Sequence, residues 1–399
     1  MQGLETSATC LTSNSKIALE KLCPSPFLPS TMQALHIMSN RYIVIMAGGR
    51  GERFWPKSRS ARPKHLQAII GEKTMLAQTV ERVAALVPPE NLLIITAAEQ
   101  RQVVLEDLPQ LSSDQVVGEP VGRDTAAAVG LATVLVRAKD PDAVYAILPA
   151  DHVIHDGPAY SEVLETAFSA AEETESLVTI GVKPTEPATG YGYVQTGLVK
   201  TYIMGTPVYT VQRFVEKPDL QTALSYVDSG EYFWNAGMFI WKVSAIDAAL
   251  QNYTPDLYSG LKSISDGIAA GTSLESLMTE VYPALEKISV DFAIMEKAQN
   301  VLMVESAFDW DDVGAWPAIE RHFPEDALGN VKKGDAIYKE SADNIIVSEN
   351  GHLTALIGVQ SLIVVHTEDV TLVCHKDRAQ DIKTIVKELG ENEDFKHLV

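Results

Sequence analysis

Cysteine is scarce in this chain: there are 3 in 399 residues. Cys10, Cys23 and Cys374 show no paired metal-ligand spacing. A disulfide framework and a thiolate metal site are therefore not expected, and a reducing, cytoplasmic setting fits. No run of about 18 apolar residues occurs, so no membrane-spanning helix is expected. Positive charge is also in short supply, with 32 Lys and Arg against 53 Asp and Glu and a formal net charge of −21. Such a surface argues against nucleic acid and against anionic membranes as partners. It also repels phosphorylated ligands at long range, so any phosphate site must be assembled locally. Two phosphate-binding motifs are missing as well. No Gly, four residues and Gly-Lys-Ser/Thr occur in that order, which excludes a P-loop. The dinucleotide fingerprint has Gly49 and Gly51 but Phe54 in place of its third glycine, which excludes a conventional NAD-dependent dehydrogenase.

What remains is an ordinary globular balance, 46% hydrophobic and 21% charged. Residues 1–37 are rich in Ser, Thr and Pro, and Lys16, Glu20 and Lys21 interrupt every candidate apolar stretch. They are expected to be a disordered extension, or the product of a start assigned too early, with Met38 as the alternative start. From Arg41 onward, short apolar runs alternate with amphipathic stretches. Tyr42–Ala47 reads as a buried strand, and Met75, Leu76, Thr79, Val80, Val83 and Val87 share one helical face. Strands at Leu92–Thr96 and Val144–Leu148 continue the alternation, with a helix between them for which Asp124 is the candidate N-cap. Parallel βαβ units follow from that order, and a ligand is then expected at the carboxyl ends of the strands. Between Gly190 and Trp241 the pattern turns to a more mixed sheet, and helical patterns return at Val243–Leu250 and Val290–Lys297. After Gly329 come short β runs at Asn344–Ser348, Leu353–Val359, Ser361–His366 and Val370–His375. A terminal amphipathic helix is expected from about Asp377, and a domain boundary near Pro324–Lys333 separates residues 38–329 from 330–399.

The segment from Met46 to Leu66, MAGGRGERFWPKSRSARPKHL, carries most information. A strand emptying into Gly48, Gly49 and Gly51 lets backbone N–H groups approach a phosphate without Cβ obstruction. By itself such a turn is equally consistent with a plain strand-to-helix connection. Arg50, Arg53, Lys57, Arg59, Arg62 and Lys64 follow it closely in an otherwise acidic chain. A solvated basic loop would look the same, but this one is stiffened by Pro56 and Pro63, which suits holding fixed charge around a polyphosphate.

This segment resembles the signature loop of the sugar-phosphate nucleotidyltransferases, GGxGxRLWPLSR…PK, in the GGRGERFWP form typical of mannose-1-phosphate guanylyltransferases. Lys57 stands where Leu is common, and His65 where Gln is common. Other stretches match in order: GEPVGRDTAAA at Gly118–Ala128, with Asp124 for the usual Asn; LPADH at Leu148–His152; GYGY at Gly190–Tyr193; FVEKP at Phe214–Pro218; WNAGMF at Trp234–Phe239; SVDFAIMEK at Ser289–Lys297; and WDDVGAW at Trp310–Trp316. The resemblance implies an α/β fold, a Rossmann-like (GT-A-like) mixed sheet flanked by helices, with a small β-rich, β-helix-like C-terminal domain ending in a helix.

It also implies site roles. Arg53 and Lys64 would contact the nucleotide phosphates and the departing pyrophosphate. Ala47, Gly48, Gly49, Gly51, Glu52, Glu119, Arg123, Asp124 and Thr125 would complete the nucleotide site. Glu216 and Asn235, with backbone around Gly192, would hold sugar hydroxyls, and Lys217 the sugar's phosphate. Asp151 and Asp312 would bind Mg²⁺, while Asp309 and Asp311 are expected to be solvated or structural. The implied reaction joins GTP and mannose 1-phosphate to give GDP-mannose and pyrophosphate, with no general base required. The rivals are a nucleotidyltransferase for another sugar or NTP, and a non-catalytic nucleotide-sugar sensor on the same fold. A homodimer through the β-rich tail is allowed, and the additional isomerase domain of longer relatives is not expected.

Overall fold

The structure, a computed structural model, describes residues 40–349 and 351–399. The expectations for residues 1–37, for Cys10 and Cys23, and for Met38 as a start lie outside the described residues.

The run Arg41–Ala47 is apolar enough to be buried on both faces, and it becomes β1, hydrogen-bonded in parallel to β2 (Leu92–Ala97) and β4 (Val144–Pro149). With β3 (Val116–Glu119) outside β2, these strands form the parallel half of a sheet. Its other half is built from β5 (Leu177–Val182), β6 (Tyr193–Ile203), β7 (Thr206–Val215), β8 (Tyr232–Lys242) and β9 (Val301–Glu305). The order is β3-β2-β1-β4-β8-β5-β9-β7-β6, and β8 also pairs with β6. Strand β8 runs antiparallel to both β4 and β5 and so joins the two halves. The parallel βαβ expectation holds for β1 to β4; β5, next in sequence after β4, is displaced by the β8 strand.

Helices cover both faces, as a two-sided buried sheet requires. One core gathers α1 (Met75–Val83), α2 (Arg101–Asp107), α4 (Gly157–Thr174) and α5 (Leu220–Ser229). The opposite core gathers α3 (Asp124–Lys139), α6 (Val243–Tyr253), α7 (Pro255–Ala269) and α8 (Leu274–Glu280). Helix α1 is capped by Thr74, whose hydroxyl accepts from the N–H of Ala77 at 3.0 Å, and its expected apolar face is the buried one.

Three local expectations need correction. Asp124 is not an N-cap: it is the first helical residue, with φ of 63°, and its carboxylate accepts from the adjacent Thr125 N–H. The short side chain tolerates the left-handed region and satisfies its own neighbour. The helix expected over Val290–Lys297 is one π-helical turn, Asp291–Met295. The Glu296 N–H closes the turn on the Asp291 carbonyl, and Ala293, Ile294 and Met295 are buried in the core. The terminal helix α9 begins at Ile382, after a 3₁₀ stretch over Lys376–Asp381.

The C-terminal strands are β10 (Val331–Lys333), β11 (Asp335–Lys339), β12 (Ile345–Ser348), β13 (Leu353–Ile357), β14 (Leu362–His366) and β15 (Thr371–His375). β10, β12 and β14 stack in parallel, as do β11 and β13, giving β-helix-like rungs. Their inward residues Ile345, Val347, Ile363 and Val365 share a third core with Phe54, Trp55, Val313 and Trp316. The C-terminal domain thus packs on the signature loop itself. No helix among the described residues is long and apolar enough to cross a membrane.

Candidate active site

The carboxyl ends of β1 and β4 open onto a cavity of about 580 Å³, and a second of about 430 Å³ adjoins it. The two share Asp151, His152 and Asp312 as a common wall.

The glycine turn leaves β1 toward both. Gly48 and Gly49 line the larger cavity, with nothing within 4 Å of where a Cβ would stand. Gly51 is different: φ is +62°, and a Cβ there would meet the Lys64 Cβ at 2.4 Å. Its lack of a side chain lets the loop close on Lys64. That lysine is buried, and its ammonium donates to the Asp151 carboxylate at 2.8 Å, the Asp151 carbonyl at 3.0 Å and the Asp312 carbonyl at 2.6 Å. Residues separated by 87 and 248 positions are tied together at one nitrogen. Burial alone would raise the Asp151 carboxyl, but the Lys64 charge, helped by His152, outweighs it and holds the group below the usual carboxylate range. Burial lowers His152 despite Asp151 beside it. Burial also pushes His65 down to about 4, so its imidazole is neutral near pH 7.

Asp312 accepts from the Tyr191 hydroxyl at 2.7 Å, and burial followed by this carboxylate raises the phenol. Its neighbour Asp311 faces elsewhere and is held by Arg321 at 2.5 and 2.7 Å, by His322 at 2.9 Å and by the Val313 N–H. Asp309 accepts from the N–H groups of His155 and Asp156. The expectation that these two acids are structural matches the contacts they make. Among the described residues no group of three or more His, Cys, Asp or Glu could hold a metal. Two carboxylates on a shared wall nevertheless fit a hard cation that completes its shell with phosphate oxygens and water.

Ten of the residues expected in the site line the larger cavity: Gly48, Gly49, Glu119, Asp124, Thr125, Asp151, Gly192, Glu216, Asn235 and Asp312. Gly51, Glu52, Arg53 and Lys64 line the smaller one, with Asp151 and Asp312 common to both. Three lie off these walls. Ala47 is the last residue of β1 and is fully buried. Arg123 donates to the Pro283 carbonyl. Lys217 is exposed, pairs with Glu216 and faces a neighbouring hollow. Of the six cations in the loop, Arg50, Arg53 and Lys64 face the cavity, whereas Arg59 is paired with Asp369 at 2.5 Å.

Where the sugar contacts were expected, Gly192 makes room for Glu216, since a Cβ would stand 2.5 Å from the Glu216 Oε2. Asn235 donates to Asp291 at 3.0 Å and accepts from the Gly237 N–H at 3.1 Å. Burial, then the charge of Glu216, raises the Asp291 carboxyl to about 7. Glu119 is raised by burial, partly offset by the Tyr282 hydroxyl that donates to it.

Asp291 and Tyr191 lay inside quoted motifs without being singled out. The signals were a charged residue opening an apolar segment and a tyrosine between two glycines. Trp310, whose indole donates to His152 at 3.1 Å, was read only as part of its motif.

A glycine turn, clustered cations and two carboxylates on a shared wall are the build of a nucleotidyltransferase, and the nucleotidyl transferase family model matches residues 42–327. A second model, the MannoseP isomerase/GMP-like beta-helix domain, matches residues 334–389. A mannose-1-phosphate guanylyltransferase of Escherichia coli is 38% identical over 352 residues, 88% of this chain and 74% of that one. The alginate biosynthesis protein AlgA of Pseudomonas aeruginosa is 37% identical over 361 residues, 89% of this chain and 74% of that one. A crystal structure from Thermus thermophilus, described as a mannose-1-phosphate geranyltransferase, is 37% identical with a TM-score of 0.77, covering 88% of this chain and 99% of that one. The chain belongs to the nucleotidyl transferase family, in its mannose-1-phosphate guanylyltransferase branch.

Proposed function

We propose that the protein transfers GMP from GTP to mannose 1-phosphate, releasing pyrophosphate and forming GDP-mannose. The observation that carries this is the pair of adjoining cavities with Asp151, His152 and Asp312 as their common wall. A cleft of this shape suits a nucleoside and a sugar in its larger lobe and a polyphosphate tail in its cationic lobe. The names of the relatives supply the sugar and the base.

A phosphate oxygen of the sugar attacks the α-phosphorus in line. The new P–O bond forms as the bond to the bridging β-phosphate oxygen breaks, and pyrophosphate leaves with the electron pair. The sugar phosphate is already ionised, so no side chain need remove a proton, and catalysis is orientation plus charge neutralisation. Glu216 and Asn235 hold sugar hydroxyls, and backbone N–H groups of the glycine turn lie along the phosphates. Arg53 and Lys64 neutralise the leaving group; Lys64 exchanges one of its three acceptors to do so. Asp151 and Asp312 are to hold Mg²⁺, which when bound neutralises charge at the α-phosphate and the sugar phosphate. Tyr191 and Lys64 keep those two carboxylates turned toward the cleft.

The test is pyrophosphate release with Mg²⁺, mannose 1-phosphate and each of the four NTPs in turn. Release with GTP well above the others is expected. Release with another NTP moves the base specificity, and none from folded protein overturns the proposal.

A further inference from the structure

The smaller cavity has one wall that does not come from the nucleotide-binding domain. Lys383, the second residue of α9, lines it together with Arg50, Arg53 and Lys64 of the signature loop. Lys64 is committed to Asp151, but Arg50, Arg53 and Lys383 make no ion pair among the described residues. The Arg53 Nε is moreover buried without a hydrogen-bond partner. With Lys64 these make four cations against the three carboxylates Glu52, Asp151 and Asp312 on the same wall, so this cavity keeps a cationic excess in a chain of net charge −21, a lining that favours an entering anion.

The position of Lys383 is set by packing. Ile382, next to it, is 2% exposed and belongs to the same core as Phe54 and Trp55 of the loop. Val386 and Leu389 pack against that core one and two turns on. The Trp55 indole donates to the Leu398 carbonyl at 2.8 Å, which fastens the chain beyond α9 to the loop as well. Lys383 lines only the smaller cavity, whereas Lys64 touches the wall carboxylate shared with the larger one. Lys383 is therefore on the side remote from the sugar.

We propose that Lys383 is a phosphate-binding residue of this cleft, contacting the β- and γ-phosphates of the triphosphate and the pyrophosphate that departs. This rests on the nucleotidyltransferase function proposed above and adds that the C-terminal domain supplies part of the phosphate site. Lys387, one turn on, lines instead an adjoining hollow beside Arg59 that shares only Arg50 and Glu52 with this one, and serves as the control position.

The test runs the reaction in reverse, from GDP-mannose and pyrophosphate, on wild type, Lys383→Met, Lys383→Arg and Lys387→Met. For Lys383→Met the KM for pyrophosphate is expected to rise about tenfold or more, the loss of one charge-assisted contact, with the KM for GDP-mannose within about twofold. Lys383→Arg should recover most of the loss, and Lys387→Met should match wild type. Calorimetric binding of inorganic pyrophosphate with Mg²⁺, without turnover, should weaken in step for Lys383→Met. A purely structural role would instead lower the thermal midpoint and move both KM values together, which would overturn the proposal. So would an unchanged KM and unchanged affinity for pyrophosphate. Wild-type protein inactive in both directions would sink the proposed function instead, while pyrophosphate binding would still decide the role of Lys383.

Discussion

In the larger cavity the polar groups are already partnered: Tyr191 on Asp312, Asn235 on Asp291, Tyr282 on Glu119. In the smaller one Arg50, Arg53 and Lys383 make no ion pair among the described residues, and with Lys64 they outnumber the carboxylates Glu52, Asp151 and Asp312 on the same wall. The first arrangement is rigid before any ligand arrives and suits shape and hydroxyl recognition. The second is electrostatically incomplete, and its binding energy is realised only when anionic charge enters. Lys64 belongs to both, because it fixes the shared wall while lining the cationic side.

The sharpest way to break this division is at the wall. Lys64→Ala and Asp312→Ala should each lower turnover by about 10²–10³, the usual cost of removing a charge-stabilising group. Circular dichroism should report an intact fold, and near-wild-type rates would refute the assignment. Next in size is the support beneath the cationic cavity. Trp316 is 1% exposed in the third core, its ring 4.9 Å from that of Phe54. Trp316→Ala should cost about 3–5 kcal/mol of stability by denaturant titration. Gly51→Ala is subtler: the new methyl must displace Lys64, and a shift of about 1 Å can cost up to about 10²-fold in turnover. The KM for mannose 1-phosphate, whose proposed contacts lie in the other cavity, should change little.

The smallest effect concerns Asp291. Its carboxyl is raised from 3.8 to about 7 by burial and by Glu216, with Lys217 and Asn235 opposing. The folded state therefore holds a proton that the unfolded chain gives up, so this group's contribution to stability falls as pH rises from about 4 through about 7. Asp291→Asn should flatten that part of the thermal midpoint against pH. An unchanged profile would mean that Asp291 ionises normally.

Sequence pattern reached most of the parallel half of the fold, because buried strands such as Tyr42–Ala47 carry apolar runs that need no tertiary information. The insertion of β8 between β4 and β5 was not legible, since strand order depends on which edges meet. Residues of the site were legible where a motif marked them, as with Lys64, Asp151 and Asp312. Their meeting at one ammonium was not, because contacts 87 and 248 residues apart leave no local trace. Lys217 was expected to face the sugar's phosphate; it lines a hollow that shares Glu216 and Asp291 with the larger cavity, a placement its neighbours in sequence do not signal. Lys383 was invisible for a related reason: a lysine on an amphipathic helix reads as a solvated face until the helix is seen to lie on the signature loop.

The bond from Trp55 to Leu398 spans 343 residues. A ribosome finishes the signature loop early, at about 5–20 residues per second, and then takes tens of seconds to deliver the segment that fastens it. During that interval the βαβ half can fold, but the loop stays unsecured and the third core unfilled. Breaking that one bond, as in Trp55→Phe, would therefore loosen the signature loop through a contact 343 residues away.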